Sequence, residues 1–141
     1  MSSPPLPYRP LEVRGHGVWD PARSAFYPFR VVRTASTTTL LNAKPGVCYF
    51  IHAVSISGYR SGDAAADVTS ILFTIGGNQA GFSMYIGPST ASSGVSVNCV
   101  YVMNPDVLVD PGTSVSTQRY SDGCYFVVVY AEIPADEGER P

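Results

Sequence analysis

The sequence predicts an all-β fold, an antiparallel β-sandwich or jelly roll carrying an extended N-terminal arm. Three observations predict it. Charged residues make up only 14% of the 141-residue chain, lysine occurs once, at Lys44, and Thr, Ser, Val, Gly and Tyr are abundant. Such side chains suit a pleated, half-buried surface better than a helix. Apolar runs are separated, at spacings of about ten residues, by clusters of Gly, Pro, Asn and Asp, which is the rhythm of short antiparallel strands. No apolar pattern of helical period persists beyond a turn or two. The length suits one domain with one core.

Residues 1–28 carry Pro4, Pro5, Pro7, Pro10, Pro21 and Pro28. Proline lacks an amide donor and fixes φ, so this stretch reads as an extended arm rather than a central strand. Tyr8, Trp19, Phe26, Tyr27 and Phe29 would anchor it, with Gly15-His16-Gly17 as a joint. The first strand is expected over Phe29 to Leu41, through a Thr-rich run, and the second over Val47 to Tyr59. Strict alternation places Cys48, Phe50, His52, Val54 and Ile56 on one face of the second strand. Thr69 to Gly76 and Ala80 to Ile86 form a hairpin about Gly76-Gly77-Asn78, a turn that needs positive φ. Val95 to Met103 follows, then Val107-Leu108-Val109 and Thr113 to Tyr120. Residues 29–134 form the sandwich domain, and 135–141 an acidic, frayed tail.

The last long apolar run, Gly123 to Ile133, is the most informative. Cys124, Phe126, Val128 and Tyr130 share one face; Tyr125, Val127, Val129, Ala131 and Ile133 share the other. Both faces are apolar. One is expected in the core, and the other, at Tyr125, Val127 and Val129, at a subunit interface.

Chemistry-bearing patterns are sparse. There is no Gly-x-Ser-x-Gly elbow, no phosphate loop before a helix and no cluster of strand-borne metal ligands, so no enzymatic activity, cofactor or metal is expected. His52 lies four residues from Cys48; a hydrogen-bonded histidine is the simple reading, and a ring of His52 copies about a three-fold axis the sharper one. Cys48, Cys99 and Cys124 read as buried free thiols. No run of about 18 apolar residues and no signal-peptide pattern is present, so neither membrane association nor export is expected. Residues 1–34 hold five arginines against Glu12 and Asp20, whereas the rest holds four basic and nine acidic residues. That asymmetry suits an arm that docks on an acidic partner, through Pro5, Tyr8, Arg9, Arg14 and Trp19. Nucleic acid is not an expected partner, because no basic run is interleaved with aromatics. Deleting residues 1–28 is expected to leave the sandwich folded.

The run Asn104-Pro105-Asp106-Val107-Leu108-Val109-Asp110-Pro111-Gly112-Thr113-Ser114, then a short polar strand, Asp122-Gly123, and a β-rich run ending in Tyr130-Ala131-Glu132-Ile133, resembles small β-sandwich structural proteins of tailed bacteriophages. Capsid decoration (cement) proteins are the nearest kind. The resemblance spans about residues 46–133 and lies in strand rhythm and turns. It implies a non-enzymatic homo-oligomer, commonly a trimer, seated on the capsid exterior and bridging major capsid protein subunits, after synthesis in the host cytoplasm. The alternative reading is a tail or fibre head that binds a host-surface glycan through Tyr59, Tyr85 and Tyr120.

Overall fold

The structure, a computed structural model, describes residues 10–35, 38–60, 67–86, 97–119 and 124–135. It is all-β, with twelve strands and no helix among the described residues. In chain order these are β1 (Glu12–Arg14), β2 (Gly17–Asp20), β3 (Ala25–Pro28), β4 (Arg30–Thr34), β5 (Thr39–Leu41), β6 (Val47–Arg60), β7 (Asp67–Ile75), β8 (Asn78–Ile86), β9 (Val97–Met103), β10 (Val107–Leu108), β11 (Val115–Arg119) and β12 (Tyr125–Pro134). They form three antiparallel sheets. The first is β1-β2-β3, the second β10-β6-β12-β4 with β9 also on β6, and the third β5-β11-β7-β8.

The pairings of the two larger sheets nest. β4 pairs with β12, β5 with β11, β6 with β9, and β7 with β8. The innermost pair is the expected hairpin. Gly76 and Gly77 take φ of 60° and 78°, which only glycine adopts without strain. Both glycine N–H groups donate to one carboxylate, Asp110 Oδ1 and Oδ2, each at 2.7 Å. The Asp110 N–H in turn donates to Thr74 O at 2.9 Å. Asp110 thereby fastens the turn of one sheet to the segment that leaves β10 in the other.

One buried cluster draws on both larger sheets. It contains Tyr49, Ile51, Val54, Ile56, Phe126 and Val128 from β6 and β12, and Leu41, Ile71, Phe73, Met84, Ile86 and Val115 from the other sheet. Cys124 is buried there as a free thiol. At its margin, burial pushes the Tyr49 hydroxyl above its ordinary pKa, and that hydroxyl donates to Asn42 O. Strict alternation along β6 does not hold. Val129 pairs with Ala53 but Tyr130 pairs with Ile51, so His52 is an extra residue on β6. This bulge exchanges the faces. Tyr49 and Ile51 point into the shared cluster before it, and Val54 and Ile56 after it. The expected grouping of Cys48 and Phe50 with Val54 and Ile56 is therefore corrected.

The extended arm is also corrected. Residues 12–28 are not extended but form the β1-β2-β3 meander. The prolines permit it because Pro21 lies in the β2–β3 turn and Pro28 ends β3. That turn is closed by Asp20, buried at 1% exposure, which accepts from Ala22 N–H at 3.1 Å and from Arg23 Nη1 at 2.9 Å. Ser24 completes it at a φ of 49°. The meander packs Val18, Tyr27 and, beside it, Leu11 and Phe29 onto Cys48, Phe50, Leu108, Ala131 and Ile133 in a second cluster. Burial of each such side chain stabilises by about 1.5–3 kcal/mol, so residues 10–29 are integral to the fold. The expectation that removing 1–28 is harmless does not fit this packing. Ala135, placed in the tail by sequence, is buried here as well, and donates its N–H to Gly46 O at 2.8 Å.

The expected strand over 29–41 also divides. β4 joins the second sheet and β5 the third. Its Thr-rich middle favours strand locally, but residues joining two sheets cannot stay in one ladder.

Two outcomes follow. Asp110→Ala should lower stability by about 1–3 kcal/mol, read by urea denaturation, because two amides lose a charged acceptor. Val18→Asp should release the meander, read as new protease cleavage within residues 10–28 ahead of the remaining chain, with loss of a few kcal/mol.

Candidate interaction surfaces

The bulge at His52 decides which part of the second sheet is covered. On β12 the outward row is Tyr125, Val127, Val129, Ala131 and Ile133. Ala131 and Ile133 are fully buried beneath the N-terminal meander. Tyr125 is 40% exposed, and Val127 and Val129 are half-buried. Cys124, Phe126 and Val128 lie in the core. The odd-numbered face is thus covered over one half by the chain itself and open over the other.

Register extends the open half across four strands. Val127 pairs with Ser55 and Arg33, and Ser55 with Val102. Tyr125 pairs with Ser57, and Ser57 with Val100; Val129 pairs with Ala53 and Val31. Residues directly opposite share a face. Val100, Val102 and Val31 are 71%, 66% and 53% exposed. A largely apolar face therefore lies on water, crossed by Ser55 and Ser57 of β6 and with Arg33 at one border. The three expected residues sit within it, and three valines join them. Val100 and Val102 were legible as the second face of an alternating strand, since the pattern Val97, Cys99, Tyr101, Met103 leaves them opposite.

The arm residues divide. Pro5, Tyr8 and Arg9 lie outside the described residues. Arg14 and Trp19 come together on the outward face of the meander, the guanidinium 5.1 Å from the ring centroid. Arg14 also binds Glu12. Arg23 is held by Asp20, and Arg30 lies 3.8 Å from Glu132, which also accepts from Lys44 at 2.7 Å. That hydrogen bond raises the Lys44 pKa. Several arginines expected to meet an acidic partner are thus engaged within the chain.

His52 stands where the covered and open halves meet. Its ring stacks on Phe29, centroids 4.4 Å apart and planes 10° from parallel. Nδ1 lies 2.6 Å from Asp106 Oδ1, and Asp106 holds a left-handed φ of 48°. The carboxylate and the stacked ring together fix the imidazole's orientation. Among the described residues, no third His, Cys, Asp or Glu joins them as a metal group.

Of the three aromatics of the glycan reading, Tyr85 is the one whose side chain is among the described residues. Tyr85 is 65% exposed on β8. A shallow polar hollow lies at the other end of that strand, between Thr74, Gln79, Ser114 and Ser116. At 3.4 Å per residue, Gln79 and Tyr85 are about 20 Å apart. The side chains of Tyr59 and Tyr120 lie outside the described residues.

No protein-family model, no curated protein and no solved structure matches this chain.

Proposed function

We propose that the chain is a non-enzymatic structural protein of a tailed-bacteriophage virion. It self-associates, as a trimer, through the open face of its second sheet, and decorates the capsid exterior by bridging major capsid protein subunits. The observation that carries this reading is the apolar strip of Val31, Val100, Val102, Tyr125, Val127 and Val129. Apolar side chains gathered on one exposed sheet face mark a contact surface. Subunit association through it would bury side chains worth about 1.5–3 kcal/mol each when fully covered.

The strand order supports a jelly-roll sandwich, the architecture of many virion proteins. Counting from β4 and taking β9 with β10 as one strand, the two larger sheets run 1-8-3-6 and 2-7-4-5. That order results when one long antiparallel hairpin rolls up so that its two edges pack face to face, giving paired Greek keys. Repeated copies on a shell would raise the cost of separating capsid subunits by burying contact area at each bridge.

Val127→Asp tests the self-association. Arg33 lies directly opposite Val127, so a monomer can accept the new carboxylate, whereas an apolar interface cannot. Light scattering should show an oligomer for the wild type and a folded monomer for the variant, with unchanged β circular dichroism. An unfolded variant would mean that the face is internal packing. The wild type should also co-sediment with purified expanded capsids; binding to host cells or glycans without capsid binding would overturn the capsid assignment.

A further inference from the structure

We infer that the outward face of the N-terminal meander is a docking site for a proline-rich segment, and that its occupant is residues 4–10 of a second copy of this chain. The meander's inward face, with Val18 at its centre, is consumed by the core. Its outward face is nonetheless aromatic. Glu12, Trp19 and Phe26 are cross-strand partners in one row, and Arg14, Gly17 and Pro28 in the next. Phe26 is 48% exposed. Gly17 lets the Phe26 ring lie down across the sheet, since a methyl group there would stand 2.6 Å from Phe26 Cζ and 2.3 Å from Tyr27 O. The result is a low platform of Trp, Phe and Arg, the residue types that dominate binding energy at protein contacts.

Platforms of this composition suit polyproline helices, which arrive already ordered and so lose little entropy on docking. The chain contains one matching sequence. Pro4, Pro7 and Pro10 recur every third residue. Such a helix has three residues per turn, so these three prolines share one edge. Arg9 supplies a cation, and at the end of the aromatic row lies Glu12, an exposed carboxylate that Arg14 already engages through Oε2.

Stereochemistry makes the occupant a neighbour's segment. The chain enters β1 through Pro10 and Leu11, and Leu11 is packed against the second cluster. Proline's fixed φ, and the extended preference it imposes on Arg9, oppose an immediate reversal over the same sheet. A seven-residue polyproline helix spans about 20 Å, long enough to lie across the platform of another copy. This inference stands apart from the capsid assignment and from the Val127 face.

The chain has a single tryptophan, so emission reports on this site alone. The receiving protein is the full-length chain carrying Pro4→Ala and Pro7→Ala, which removes its own ligand, in the Val127→Asp background, which separates the result from self-association through the other face. Titration with a synthetic peptide of residues 2–10 should shift Trp19 emission saturably, with a Kd on the order of 10 μM to 1 mM. The peptide with alanine at positions 4 and 7 should give no shift, and Phe26→Ala in the receiving chain should weaken binding about tenfold. With wild-type residues 4–10 retained in that background, Trp19 emission should change on dilution. No saturable shift by 1 mM peptide, an equal shift with the alanine peptide, or emission independent of protein concentration would overturn the proposal; the last would place the segment on its own sheet.

Discussion

The fold depends on the long ladder between β6 and β12 and on the single residue by which it slips. A strand alternates its faces with a period of two, so one inserted residue exchanges every side chain beyond it. Without the insertion at His52, either Tyr49 and Ile51 or Val54 and Ile56 would leave the main cluster. With it, both pairs point inward, and Cys48 and Phe50 remain free to face the N-terminal meander. The Asp106 carboxylate and the Phe29 ring hold the inserted imidazole, so the irregularity has its own partners.

The same slip organises the outside of that sheet. The N-terminal meander covers Ala131, Ile133, Phe50 and Leu108. Beyond His52 nothing among the described residues covers Tyr125, Val100 or Val102. The boundary between a covered face and a contact face is thus a single strand position. The charges near the N-terminus follow a matching logic. Asp20 and Glu12 hold Arg23 and Arg14 within the meander, and its outward surface is left defined more by rings than by net charge.

Much of this was legible in the residues. Gly76-Gly77-Asn78 specified its hairpin because glycine takes two successive positive φ angles without strain. The burial of Phe126 and Val128, with Tyr125 outside, followed from alternation. The meander was not legible, because proline signals only what it forbids inside a strand, and Pro21 and Pro28 sit where nothing is forbidden. The bulge left no mark either: His52 and Ala53 carry no glycine or proline, and both registers of β6 are apolar. The division of residues 29–41 between two sheets was hidden for a related reason, since Thr favours strand on either side of the crossing and only tertiary packing separates them.

The nested pairing has a consequence for how the chain is made. The β7–β8 hairpin closes through two residues, and each pairing outside it then needs only a short additional loop once the inner one exists. Val31 pairs with Val129 in the outermost of these pairings. The meander, although synthesised first, packs on Ala131 and Ile133, which are among the last described residues to emerge. During synthesis its Val18 and Tyr27 therefore wait for a surface that the ribosome has yet to supply, and the newborn N-terminus is the part of this molecule with most to gain from a chaperone.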